Sequence, residues 1–300
     1  MSEPVLSLCM PTNGVVEWVF PVLDSIFKQN CSEKLFEVVI TDNGNNTQFK
    51  ERIKKYISMY GNIKYSETNA LPFLNEIEAY RRASGRLIKF VNHRTMLVEG
   101  ALQKLIDFVA DNEKRKPVVY FSNGVLDIPK SLNEYKSFDE FVKNLSYWSS
   151  WSTGMAIWKS DFDKLPQNIS EFNELFPHTD ILFNVRDRES YILENSVIFN
   201  ELPVNGIPKA KYDLFYAFTV EYPGIILKLL MDGDISTETF LSVKNDNLLF
   251  VAKLYYDFVI RKKPCSYILT NYRQCIKVFY SHKRLLLYLI KKAVKKIMKG

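Results

Sequence analysis

The stretch Gly85–Gly100, GRLIKFVNHRTMLVEG, constrains the fold of this chain more than any other. An apolar run, Leu87-Ile88-Lys89-Phe90-Val91, ends in four polar residues, Asn92-His93-Arg94-Thr95. Glu99 to Asn112 then places Leu102, Leu105, Ile106 and Val109 at helical spacing. This pattern is a buried strand that delivers polar groups into a strand-to-helix loop. In an open α/β sheet, ligands occupy the crevice beyond the carboxyl ends of the strands, so the tetrad stands where a site is expected.

The same unit recurs upstream. Val5 to Met10 is an apolar run closed by the turn signature Pro11-Thr12-Asn13-Gly14, and Glu17 to Gln29 follows as an amphipathic helix. Phe36 to Thr41 is rich in β-branched residues and ends in Asp42-Asn43-Gly44-Asn45-Asn46, before a helical pattern from Phe49 to Tyr60. Ile63 to Tyr65 reads as a third strand and Leu74 to Ala83 as a third helix. Strands alternating with helices predict an α/β fold with a mainly parallel sheet and right-handed crossovers.

Downstream, Pro117 to Ser122 is another strand, Asn123 to Tyr135 a polar connection and Asp139 to Leu145 a short helix. Trp148 and Trp151 then stand among serines before a Met155–Trp158 strand. They form either a packed corner or an aromatic platform for a sugar ring, with Ser152 and Thr153 supplying hydroxyl contacts to an acceptor. Phe172 to Val185 is a helical pattern whose start is marked by Pro177, which places His178 and Asp180 in the opening turn. Beyond Val197–Asn200 the character changes. Tyr212–Met231, Thr239–Arg261 and Tyr267–Lys299 are long helical patterns, so residues 1–205 are expected to form the α/β domain and 206–300 a helical region.

Charge and cysteine usage narrow the function. The formal net charge is +6, yet seven Lys or Arg residues and no acid fall between His282 and Gly300, so the basicity belongs to the tail. Leu286, Leu289, Ile290, Val294 and Ile297 fall on one side of that tail, with Lys291, Lys292, Lys295, Lys296 and Lys299 around the other. A basic amphipathic helix of this kind suits an anionic membrane surface; its alternative is a core-packed last helix with a solvated basic face. Nucleic acid is not expected as a partner, because the cations are terminal and lie in no recognised binding motif. Four cysteines lie far apart without a CxxC pair, which argues against zinc and suits a reducing cytoplasm. The first residues, MSEPVLSLCMPTNG, do not read as a signal peptide, and no apolar stretch approaches the ~18 residues of a membrane span.

The segments Leu6–Asn13, Phe36–Gly44 and Ala83–Val91 together resemble the nucleotide-binding half of family 2 type, GT-A fold glycosyltransferases. Within that family the chain resembles the bacterial surface-polysaccharide members, such as the abequosyltransferase-like group, over about residues 5–200. It implies a nucleotide-sugar donor of UDP or CDP type and a lipid-linked glycan acceptor, at the inner face of a bacterial cell membrane. Pro11, Thr12, Asn13, Asp42 and Asn43 would hold the nucleotide, with Asn92 and His93 beside it. A carboxylate at Asp42 can accept the imide N–H of uracil or the amine of cytosine. The family's Asp-x-Asp metal motif is replaced here by Asn92-His93-Arg94, which a hard divalent cation does not favour. Either Arg94, with His93 or Lys89, supplies the charge that stabilises the leaving diphosphate without a metal cofactor, or catalysis has been lost. The family's general base maps to Asp180, with His178 as alternative or partner; the plainer reading is that Asp180 only favours the helix N-terminus.

Overall fold

The computed structural model describes residues 3–204, 206–207 and 211–297, with side chains as far as 289. The chain divides into two compact units: residues 1–141 with 148–203, and residues 142–147 with those from 204 onward.

The first unit opens with β1 (Leu6–Thr12), α1 (Val16–Phe27), β2 (Phe36–Asp42), α2 (Thr47–Met59), β3 (Ile63–Glu67), α3 (Asn75–Arg82) and β4 (Leu87–Phe90). It continues with β5 (Thr95–Leu97), α4 (Ala101–Asn112), β6 (Val118–Phe121), β7 (Leu132–Tyr135), the first half of α5 (Phe138–Leu145), whose residues from Val142 count with the second unit, β8 (Ala156–Trp158), α6 (Lys159–Phe162), α7 (Pro177–Asn184), β9 (Tyr191–Glu194) and β10 (Phe199–Glu201). The central sheet has the order β3-β2-β1-β4-β8. Its first four strands are parallel and β8 runs antiparallel to β4. All seven residues of β2 are buried, as expected where helices cover both faces of a parallel sheet. The inward stripe of α1, with Trp18, Val19, Phe20, Val22, Leu23 and Ile26, supplies much of that cover. Burying each such apolar side chain contributes about 1.5–3 kcal/mol before chain entropy is charged against it.

Register places the site. β1 runs between β2 and β4 with Cys9 opposite both Val39 and Phe90, and Thr12 opposite Asp42. The turn residues that end these strands therefore share one edge of the sheet. Asn46 accepts the Phe49 N–H and fixes the start of α2 just beyond Asp42.

Several expectations are corrected. The tetrad does not lead straight into α4: Thr95–Leu97 forms β5, which pairs antiparallel with β10. The polar connection after β6 ends in a strand, β7, which with β6 and β9 makes a three-stranded sheet in the order β6-β9-β7.

In the second unit α8 (Leu214–Tyr216), a π-helical turn (Ala217–Glu221) and α9 (Tyr222–Met231) follow one another directly. This 18-residue helical run is apolar enough by length and composition to cross a bilayer, contrary to expectation, although 44% of it is buried and the core helix of a soluble protein passes the same test. Next come α10 (Thr237–Leu254) with a π-helical end (Tyr255–Ile260), α11 (Tyr272–Phe279) and α12 (His282–Ile297). The last expected helix is thus two, parted at Tyr280-Ser281. Leu285 is fully buried against the unit's core whereas Leu286 and Leu287 are exposed. The side chains of Ile290, Lys291, Lys292, Val294, Lys295, Lys296 and Ile297, and Lys299 altogether, lie outside the described residues.

Candidate active site

The carboxyl ends of β2 and β3, the residues that follow each, and Lys50 of α2 enclose a polar cleft of about 500 Å³, lined by Asp42, Asn43, Gly44, Asn45, Lys50, Glu67, Thr68, Asn69 and Ala70. Asp42 forms its inner wall. One carboxylate oxygen accepts the Gly44 N–H at 2.8 Å and the other the Tyr65 hydroxyl at 3.1 Å. Each oxygen can still accept a further bond. Burial pushes the Asp42 carboxyl above its ordinary value, opposed by those two donors and the Lys50 charge. The turn beyond it is closely packed, because a Cβ at Gly44 would lie 2.0 Å from the Asn13 carbonyl oxygen. Asn43 is tied down through its amide to Ala70 O at 3.0 Å. Asn13 is exposed, Pro11 half-buried, and Thr12 buried.

Asn75, at the start of α3, was not foreseen. Its side chain donates to Thr41 O at 2.9 Å and Thr12 O at 3.3 Å and accepts from the Thr68 hydroxyl at 2.8 Å. One buried amide thus ties together the carboxyl ends of β1 and β2 and the segment after β3.

At the end of β4 the tetrad is ordered by its own side chains. Asn92 accepts the Arg94 N–H at 3.0 Å. The Thr12 hydroxyl accepts the Gly14 N–H and is hydrogen-bonded to His93 Nδ1 at 2.8 Å. Burial together with the adjacent Arg94 charge lowers the His93 pKa to about 4, so the ring is neutral at pH 7. His93 also packs against Trp18. The Arg94 guanidinium lies 5.8 Å from the centre of the Trp18 ring and pairs with Glu201 at 3.1 Å. These residues do not fit a hard divalent cation. The turn offers an amide already bonded, a ring nitrogen bonded to Thr12 and a cation, and its neighbouring acid, Glu201, faces the guanidinium. Glu67, at the end of β3, is paired with Lys50 at 2.6 Å.

The serine-tryptophan segment lies on short 3₁₀ turns, Ser146–Ser150 and Ser152–Gly154. Trp148 and Trp151 are half-buried, with ring centres 5.7 Å apart, and Trp151 also packs edge-on against Phe199. Ser152 is half-buried, but Thr153 is 2% exposed, so its side chain is not a surface for an acceptor. α7 begins beside this segment. Thr179 donates to Ser149 O at 2.9 Å, and His178 Nε2 to Ser150 O at 3.0 Å. A carbonyl can only accept, so Nε2 carries a proton; Nδ1 faces Glu76 Oε1 at 3.6 Å, and both side chains are nearly fully buried. His178 is therefore placed to position the segment rather than to take a proton from an acceptor. Burial drives the Glu76 carboxyl upward. Asp180 is half-buried and accepts the Asn173 N–H at 2.6 Å, a bond that orders the turn before α7.

Sequence reasoning missed Asn75, Glu76 and Tyr120. Glu76 alone left a trace, since it falls with Ile77 and Tyr80 on the inward face of α3, where a carboxylate needs a partner.

A parallel-rich sheet with turn residues at its carboxyl edge, followed by a helical region, is the GT-A architecture. Among solved structures, residues 1–349 of TarS from S. aureus, in complex with UDP-GlcNAc, superimpose with a TM-score of 0.54 at 17% identity, over 86% of this chain and 76% of that one. The longer TarS structure gives 0.54 at 16% identity, and the match spans 46% of its length. Mannosyltransferase PcManGT from Pyrobaculum calidifontis, in complex with GDP-Man and Mn²⁺, matches all of this chain and 88% of its own at 15% identity, with a TM-score of 0.53. No family model and no curated protein matches the sequence.

Proposed function

We propose that the chain is a glycosyltransferase that transfers a sugar from a UDP or CDP donor to a lipid-linked bacterial surface glycan, with inversion and without a divalent metal. The observation that carries this reading is Asp42, a carboxylate on the inner wall of a polar cleft at the carboxyl edge of the sheet, with acceptor capacity left for a pyrimidine. The neighbours of like fold include proteins solved with UDP-GlcNAc and with GDP-Man.

In this reading Asp42 and Asn43 hold the base, and the β4 turn faces the diphosphate. Arg94 leaves Glu201 to stabilise the departing charge, and neutral His93 fixes the turn through Thr12. Asp180 takes the proton of the attacking hydroxyl, while Trp148, Trp151 and Ser152 present the acceptor. Residues 282–300 bring the protein to an anionic inner-membrane surface. A non-catalytic GT-A module that binds glycan or nucleotide is the second reading, favoured by the engagement of Arg94 with Glu201.

A thermal-shift screen of nucleotide sugars tests the proposal. At a ligand concentration 100 times Kd, binding stabilises by about 2.7 kcal/mol. A pyrimidine nucleotide sugar should raise the melting temperature equally with and without EDTA, and transfer should persist in EDTA. A shift that vanishes in EDTA and returns with Mn²⁺ refutes the metal-free mechanism; binding without transfer to any glycan favours the second reading.

A further inference from the structure

Between β8 and the helix before it, the backbone carbonyls of the tryptophan segment are gripped from below by buried side chains. Ser149 O takes the Thr179 hydroxyl and Ser150 O the His178 ring. The Tyr120 hydroxyl on β6 lies 2.6 Å from Trp148 O and 2.5 Å from Trp151 O, donating to one at a time. Gly154 packs so closely on that tyrosine that a Cβ there would fall 2.1 Å from the ring. Thr153 O takes the ammonium of Lys89, which also donates to Phe90 O at 2.8 Å.

Lys89 is the anomalous member of this set. It sits within β4 at 2% exposure, and its polar partners are carbonyls. The elements packed on it hold little charge. Its own strand has no other titratable group and β8 and residues 152–154 have none; β1 carries only Cys9, kept a thiol by burial, and β6 only Tyr120. The Phe121 ring lies 5.6 Å from the ammonium. A lysine carries a large desolvation cost in such a place, whereas a strand interior needs only an apolar side chain.

We propose that Lys89 is a positioning residue for the acceptor: it ties the Thr153 carbonyl to the end of β4 and so holds the Trp148–Gly154 segment in register with the turn at Asn92–Arg94. This rests on the reading that the segment carries the acceptor. Support comes from a linkage specific to a buried amine. Burial alone lowers the Lys89 pKa to about 7, against 10.5 for a free lysine. If the segment opens and Lys89 meets water, the open form binds a proton that the closed form lacks, between those two values. Through Lys89, opening must therefore become rarer as pH rises from about 7, approaching tenfold per pH unit, while below about 7 Lys89 contributes no pH dependence.

Hydrogen–deuterium exchange on the full chain reads this at the Trp151, Gly154 and Met155 amides, which donate to Trp148, Trp151 and Ser152 carbonyls. After correction for intrinsic rates, opening of the wild-type segment should fall between pH 7 and 9. Lys89→Met should abolish that dependence and open the segment about tenfold more at pH 9. Lys89→Gln, which keeps N–H donors without a titrating charge, should abolish the dependence with a smaller opening. With a glycan acceptor, Lys89→Met should raise the acceptor KM while nucleotide affinity stays at the wild-type value. A wild-type segment indifferent to pH, with unchanged exchange in both variants, overturns the proposal. Exchange that responds while the acceptor KM does not overturns it at its premise, that this segment carries the acceptor. Nucleotide binding, measured separately, then tells whether the glycosyltransferase reading survives.

Discussion

The carboxyl ends of β2 and β4 share one edge of one sheet and end in opposite chemistry. β2 delivers Asp42, an acid whose oxygens each accept one internal donor and keep lone pairs for another. β4 delivers Arg94, a cation turned aside onto Trp18 and Glu201. In the proposed reading the base-binding acid at β2 is held in place by internal donors, whereas any electrostatic work at β4 would require an exchange of partners. The difference teaches that an altered strand-end motif is not read from residue type alone: the charge is present, but its orientation is set by β10, which brings Glu201 opposite Thr95.

The contrast is tested most severely by Arg94→Ala. If the guanidinium stabilises the leaving diphosphate, turnover should fall about 10²–10³-fold, as when a key electrostatic donor is removed, with base recognition intact. Steady-state kinetics beside calorimetric nucleotide binding separates the two quantities, and full turnover in the variant would break the comparison on the β4 side. On the β2 side, Asp42→Ala should weaken UDP or CDP binding by about 1–3 kcal/mol, the cost of leaving the base's donor unpaired. Calorimetry that finds wild-type affinity removes Asp42 from the site. The smallest effect belongs to Glu201→Gln. Loss of this half-exposed ion pair should change stability by no more than about 1 kcal/mol. It should also tighten donor binding a few-fold by releasing Arg94, and an unchanged or weaker affinity would mean that Arg94 needs Glu201 to hold it in place.

The fold was legible where local pattern and burial coincide. β1, β2 and β4 are apolar runs closed by turn residues, and each is covered by a helix whose stripe has the matching period. β5 and β10 are three residues each, too short to show a period, and they exist because they pair with one another. β7 alternates exposed and half-buried side chains on a sheet edge and so reads as a polar loop. Asp42 and Asn43 stand out in the sequence as candidates because a strand end is a local feature. Asn75 does not, since its partners lie 34 and 63 residues away and no spacing rule connects them. The same limit explains Thr153 and His178, whose residue types suit an acceptor site but whose polar atoms face inward.

The four tryptophans make the site visible without a label. Trp158 is deep in the core, its indole N–H held by Pro117 O at 2.8 Å, and should emit as a constant background. Trp18 touches His93 and Arg94, and Trp148 and Trp151 form the segment beside α7. Three of the four tryptophans thus lie at the turn and the segment where, in the proposed reading, donor and acceptor would meet. A cation that leaves the face of Trp18, or a sugar that settles on the paired indoles, would alter the emission of an unmodified protein in real time.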